Sequence, residues 1–172
     1  MFKKVNNFAY IDGANLHKGI KSAGWQLDYF KFRRWLTDKY HVSKAYIFIG
    51  LVAKYKDLYA LLQEAGYELI FKEVVYDKSG NIKGNCDADL VLKATRDAYA
   101  NAYAGAVLIS SDGDYASLVK FLIEVNKFIT IISPAPAKKC SVLLKRTNAK
   151  IVYLGDQRLL LALLKEKAPD RD

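Results

Sequence analysis

Two aspartates one residue apart, Asp112 and Asp114, stand directly behind a short apolar run. The run is Ala106-Val107-Leu108-Ile109. Ser110 and Ser111 follow it, Gly113 separates the acids, and Ala116, Leu118, Val119, Leu122 and Ile123 then recur at helical spacing. This pattern predicts a buried strand, a tight acidic turn and a helix. A run that is apolar throughout suits a parallel strand covered on both faces. Two carboxylates this close repel unless positive charge lies between them, and a hard divalent cation such as Mg²⁺, bound through oxygen ligands, supplies it. The plainer reading is a helix cap and a glycine turn, both common uses of Asp and Gly. What separates the two readings is whether further acids reach the same end of the sheet.

The elements that must position them can be read in order. Phe8 to Ile11 is the first strand, ended by Asp12-Gly-Ala-Asn15, which opens a turn or helix through Leu16 and Ile20. A helix is predicted from Asp28 to about Tyr40, with Asp28 as its cap. Lys44 to Gly50 is the second strand. Lys54 to Ala65 is a helix closed by Gly66, and Tyr67 to Val75 the third strand, before a turn cluster at 77–81. Cys86 to Ala104 is predicted as the longest helix. Its phase puts Asp87 on one face with Leu90, Val91, Ala94 and Ala98, while Asp89 falls with Lys93, Arg96 and Asp97. Asp87 thus begins a core-facing stripe, and Asp89 is expected to pair with Lys93 at i+4. Phe128 to Ile132 is the fifth strand, a basic helix is expected over 138–146, Lys150 to Leu154 is a sixth, edge strand, and a closing helix spans about 156–167.

This alternation predicts an α/β fold, a doubly wound three-layer sandwich with a mainly parallel central sheet, in a single domain over 1–172 with its core at about 6–155. In such sheets functional groups gather outside the carboxyl ends of the strands, where the strand order reverses. Asp12 ends the first strand and Asp112 and Asp114 follow the fourth. If the reversal falls between those strands, the three acids share one crevice, and Asp87 enters it from the start of its helix. Crowded carboxylates destabilise a fold unless a cation neutralises them, and a metal held there can activate water for phosphodiester hydrolysis.

The 27 Lys and Arg against 18 Asp and Glu leave a net charge of +9, which favours a polyanionic partner. Lysines in segments that follow strands or precede helices, Lys54, Lys56, Lys83, Lys138 and Lys139, are expected to rim the acidic crevice, with Lys145 and Arg146 more remote. No apolar run is long enough for a transmembrane helix, no signal-type apolar core precedes Asp12, and Cys86 and Cys140 make no metal-binding spacing. The expected setting is the cytoplasm, without membrane association. There is no Gly-rich phosphate loop.

Tyr10-Ile-Asp-Gly-Ala-Asn15, Asp87 with Leu90 at a helix start, Ser110-Ser-Asp-Gly-Asp-Tyr115, and the later Ser141 and Leu144 resemble the NYN domain family, including its LabA-like branch. The resemblance implies a PIN-like fold and a metal-dependent ribonuclease, with one or two Mg²⁺ or Mn²⁺ ions as cofactor and RNA, single-stranded or structured, as partner. It implies that Asp12, Asp87, Asp112 and Asp114 hold the metal and carry the catalysis. Asn15 matches the family's polar residue after the first Asp. Asn15, Ser110, Ser111, Lys83, Lys138 and Lys139 are the expected substrate contacts. The chain departs from the family at Ser111, often Gly there, at Tyr115, often Phe, and at Gly84, where the family commonly has Lys; here Lys83 lies one residue further back. Two alternatives remain open: a non-catalytic RNA-binding module of the same fold, and a doubly wound phosphatase or phosphotransfer domain. A haloacid-dehalogenase-like phosphatase needs Asp-x-Asp after its first strand, where this chain has Asp-Gly-Ala-Asn. Oligomeric state is left open.

The helical phase sets a test. Asp87→Asn should abolish or strongly reduce RNA cleavage, and Asp89→Asn should leave it nearly intact, in a gel assay on labelled RNA. Loss for Asp89→Asn alone would overturn the phase assignment.

Overall fold

The structure is a computed structural model and describes residues 5–72, 75–76, 78–80, 82–83 and 86–164. In chain order it has β1 (Asn7–Asp12), α1 (Gly13–Ser22), α2 (Tyr29–Tyr40), β2 (Val42–Gly50), α3 (Lys56–Glu64), β3 (Glu68–Lys72), β4 (Val75–Tyr76), β5 (Ile82–Lys83), α4 (Asp87–Tyr99), β6 (Ala106–Ile109), α5 (Ala116–Glu124), β7 (Phe128–Ser133), α6 (Val142–Lys145), β8 (Ile151–Tyr153) and α7 (Arg158–Leu161). Six strands form one sheet in the order β3-β2-β1-β6-β7-β8, and every neighbouring pair is parallel. The chain builds outward from β1 to β3, crosses through α4 to the other side of β1, and builds outward again. The order therefore reverses between β1 and β6, the place the acids required. The pairing Ile11↔Ile109 puts Asp12 and Ser110 side by side, each one residue beyond a matched pair.

The strands are apolar because both faces are covered. Ala9, Ile11, Ile47, Val107, Ile109 and Ile132 point into one layer with Leu16, Ile20, Phe32, Leu36 and Leu62, which come from α1, α2 and α3. Their alternates Phe8, Tyr10, Phe48, Leu108 and Ile131 point into the other, against Leu90 and Ala94 of α4, Leu118 and Leu122 of α5 and Leu144 of α6. A period of two along each strand and of 3.6 along each helix produces this division.

Boundaries differ from the sequence reading where tertiary contacts or caps decide them. α4 stops at Tyr99 rather than Ala104 because Asn101 takes a left-handed conformation (φ 55°), with Ala102 N–H donating back to the Asp97 carbonyl at 2.9 Å. The third strand ends at Lys72, and the chain beyond it forms the small antiparallel ribbon β4–β5. Within the expected basic helix, only Val142–Lys145 is helical, capped by Ser141, whose Oγ accepts from Leu143 N–H. The closing helix is a 3₁₀ turn at Leu154–Gln157 and then α7, because Ala162 turns extended and pairs antiparallel with Leu27. The part of that expected helix beyond Leu164 lies outside the described residues.

Two glycines set the approach of the loops. A Cβ on Gly19 would lie 2.5 Å from Pro134 Cβ, so only glycine lets α1 press against the chain leaving β7. A Cβ on Gly113 would lie 2.4 Å from Ser141 Oγ, so the acidic turn can rest on the start of α6 only because it has no side chain there.

Candidate active site

Asp12 is the last residue of β1 and also the N-cap of α1; its Oδ1 accepts from Asn15 N–H at 3.0 Å. The same carboxylate is buried, and its Oδ2 faces the Ser110 hydroxyl at 3.4 Å and the Tyr115 hydroxyl at 3.2 Å. The Tyr115 hydroxyl also donates to Asp87 Oδ1 at 2.6 Å. Beyond β6, Asp112 caps a 3₁₀ turn over Gly113–Tyr115 by accepting from Asp114 N–H at 3.0 Å, and its own N–H donates to Ser110 Oγ at 3.1 Å. Asp87 is the first residue of α4, on the core-facing stripe with buried Leu90, Ala94 and Ala98.

Asp87, Asp112 and Asp114 each offer a carboxylate oxygen within 4.8 Å of the others. Asp87 and Asp112 are half-buried and Asp114 is exposed. At such a separation each pair repels by about 3 kcal/mol at an effective dielectric of about 20. Solvent screening at Asp114 reduces this, yet what remains is a large part of the ~5–15 kcal/mol that holds an ordinary domain together. Three hard oxygen donors converging from two elements fit a Mg²⁺ or Mn²⁺ ion, with water completing the shell.

Asp12 stands behind this trio, joined to it through Tyr115 and Ser110. Burial pushes its carboxyl above the ordinary range. The Asn15 N–H and the Tyr115 hydroxyl pull it down, while the charges of Asp87 and Asp112 push it up.

Of the expected substrate contacts, Ser110 is fully buried and its hydroxyl is engaged inside the loop, so it holds the acids rather than facing outward. Asn15 Oδ1 accepts from both N–H and Oγ of Ser111 at 2.9 Å, which clamps α1 to the acidic loop. The Ser111 hydroxyl thereby makes a bond across the switch point. Lys138 and Lys139 are exposed in the turn after β7, and that turn is tied to the acidic loop by Ser141 N–H donating to the Ser111 carbonyl at 3.1 Å. Lys139 Nζ approaches Ser22 Oγ at 3.4 Å, at the far end of α1. Lys54 lies over the Tyr55 ring at 4.9 Å, in the 3₁₀ turn after β2. Lys83 sits in β5, and its side chain lies outside the described residues, as do Gly84 and Asn85. At the end of the single turn α6, Lys145 Nζ donates to the Ala137 carbonyl at 2.6 Å.

One expectation on α4 needs correction, that Asp89 pairs with Lys93. Asp89 pairs with Lys72 at 3.4 Å across from β3, and Lys93 pairs with Asp97 at 3.1 Å. Lys93 has an acid four residues away on either side, Asp89 and Asp97, and Lys72 at the end of β3 takes Asp89. The residue the sequence reading missed is Tyr115; it lies at an apolar helical position, and only its hydroxyl distinguished it from core.

Over residues 8–154 the chain matches the NYN domain family, and it belongs to that family. Among solved structures it is similar to a Vibrio parahaemolyticus protein of unknown function, at 21% identity over 95% of this chain and 99% of that one, with a TM-score of 0.76. A looser likeness is to a mutant T5 5′-exonuclease, 17% identical over 75% of this chain and 50% of that one, TM-score 0.41. Another is to the T5 D15 protein co-crystallised with metal ions, 16% identical over 74% and 54%, TM-score 0.41. No curated protein is significantly similar to the chain. No helix among the described residues is long and apolar enough to cross a membrane.

The raised Asp12 carboxyl has a testable sign. The folded state holds that proton more tightly than the unfolded chain does. In metal-free protein the stability that Asp12 contributes is therefore lost as pH rises from the ordinary carboxylate range, about 3.9, through its raised value. Asp12→Asn keeps the cap acceptor and removes the titration. In urea unfolding at about pH 4 and pH 7, the variant should gain on wild type at the higher pH. An equal difference at both values would show that Asp12 does not carry this dependence.

Proposed function

We propose that this NYN domain is a divalent-metal-dependent ribonuclease. The observation that carries the reading is the convergence of Asp87, Asp112 and Asp114 at the switch point of a parallel sheet, with Asp12 buried directly behind them. Family membership supports hydrolysis of a nucleic acid, and the net charge of +9 supports a polyanionic substrate. Asp87, Asp112 and Asp114 would hold the ion, with Asp12 reaching it directly or through water. A bound Mg²⁺ or Mn²⁺ supplies a water of lowered pKa and neutralises charge at the phosphate in the transition state.

The chain's own groups do the rest. Asp112 fixes the turn that presents Asp114 by capping it, and Ser110 fixes Asp112 through its N–H. Asn15 and Ser111 keep α1 and the acidic loop from parting. Lys138 and Lys139 lie on the loop bonded to the acidic turn, and we assign them backbone phosphates of the RNA, those met by Lys139, beside Ser22 at the far end of α1, being further from the cleaved bond. Such contacts position the strand and read no sequence.

Purified protein should cleave labelled single-stranded RNA with Mg²⁺ or Mn²⁺ and not with EDTA. Asp112→Asn retains the cap acceptor and should lose activity by more than the roughly 10–100-fold expected for a group lying behind a ligand. Mn²⁺ at 100 times its dissociation constant should stabilise wild type by about 2.7 kcal/mol, and Asp112→Asn by much less. RNA retained on the protein without cleavage under all three conditions would establish the binding-module alternative. Cleavage that survives EDTA would remove the metal from the reaction.

The lysines have their own test. Lys138→Ala with Lys139→Ala, in the Asp112→Asn background, should weaken binding to all RNA sequences. It should also make the dependence of log affinity on log salt shallower by about 1.4, two contacts at ~0.7 each on a single strand. An unchanged slope would take both lysines off the binding surface.

A further inference from the structure

We propose that the Tyr115 hydroxyl is a positioning group that sets the affinity of the acidic trio for its divalent ion by holding Asp87 against the turn that carries Asp112 and Asp114. The inference rests on the metal-dependent reading above and assigns a role to a residue that touches neither ion nor RNA. Three segments of chain meet at this one oxygen. Tyr115 closes the 3₁₀ turn Gly113–Tyr115, so its ring is anchored in the segment that presents Asp114. The ring is fully buried against the α4 side of the sheet. Its hydroxyl lies 2.6 Å from Asp87 Oδ1, at the first residue of α4, and 3.2 Å from Asp12 Oδ2, at the end of β1.

The distances divide the single proton. A separation of 2.6 Å is that of a charge-assisted O–H···O⁻ bond, which is about twice as strong as a neutral one. Tyr115 therefore makes its stronger bond to Asp87, and Asp12 is the longer, weaker acceptor of the same hydroxyl. α4 has no side-chain cap of its own: Cys86 precedes Asp87 and makes no capping bond. The bond from Tyr115 ties the start of α4 to the acidic turn. Groups behind a metal ligand act in this way, orienting it before the ion arrives.

Tyr10 provides the internal control. It is another buried tyrosine on the same face of the sheet, and its hydroxyl donates to Asp97 Oδ2 at 2.7 Å, well along α4 from Asp87. Tyr10→Phe and Tyr115→Phe each delete one buried hydroxyl and keep the ring.

The experiment titrates full-length protein with Mn²⁺ alone and follows free Mn²⁺ by electron paramagnetic resonance. Wild type, Tyr115→Phe, Tyr10→Phe and Asp112→Asn are compared. The dissociation constant of Tyr115→Phe should rise about 10-fold or more, that of Tyr10→Phe should stay within twofold of wild type, and Asp112→Asn should hardly bind. RNA cleavage by Tyr115→Phe should be slow at limiting Mn²⁺ and recover most of the wild-type rate at saturation, a response that a general loss of packing does not produce. If wild type and Tyr115→Phe bind Mn²⁺ equally while Asp112→Asn does not, the inference fails and the metal-dependent reading stands. If Tyr10→Phe loses affinity as much as Tyr115→Phe, the effect belongs to the fold and the inference fails. If wild type binds no Mn²⁺, both fall together.

Discussion

The constraint on which the rest depends is electrostatic. Four carboxylates from three stretches of chain are brought to one end of one sheet, three of them within 4.8 Å and the fourth buried. Nothing in the packing of a sandwich asks for this. The surrounding bonds serve to hold the acids where repulsion would part them: Ser110 beneath Asp12 and Asp112, Asn15 across to Ser111, Tyr115 between Asp12 and Asp87, Asp112 on Asp114 N–H. Each of these bonds comes from a residue within three positions of an acid, so the same short motifs carry both the charges and their restraints.

The sheet makes this economical. Because β1 and β6 are neighbours and parallel, their carboxyl ends open side by side, and a single residue past the matched pair Ile11↔Ile109 is enough to bring Asp12 next to Ser110. The crossover through α4 delivers Asp87 to the same rim, since that helix must start at the carboxyl end in order to run back along the sheet. The third source of order is the loop after β7, which touches α1 at Gly19 and Ser22 and touches the acidic turn at Gly113 and Ser111. The family match over 8–154 spans all of these parts.

Much of this was legible in the sequence for a physical reason. A buried parallel strand has to be apolar throughout, so the residue at which it ends is visible, and Asp12 and Asp112 stand one and three residues past such runs. Helical phase was equally readable for Asp87 and Asp89, because a half-buried helix shows its stripe. What could not be read depends on groups distant in sequence. Lys72 captured Asp89 from another element, α7 is cut short by the pairing of Ala162 with Leu27, and α4 ends where Asn101 turns left-handed. Tyr115 was hidden because a buried aromatic ring at helical spacing is the ordinary sign of core, and the hydroxyl announces its partners only once β1 and α4 are in place. Asp12 was expected in line with the other acids; that it sits behind them follows from its second duty as the cap of α1, which turns one oxygen toward Asn15.

That arrangement bears on how the molecule comes into being. The bonds that complete the acidic cluster join residues 98 and 103 positions apart in sequence. Local helices can form long before such distant segments meet, and closing loops of this length is the slow, entropically opposed part of folding. A nascent or partly unfolded chain that has its helices but not the β1–β6 pairing therefore has Asp12 well solvated and apart from the other three acids. The repulsion that Asp12 adds is met only where β1 and β6 pair, in the sheet that must bear it.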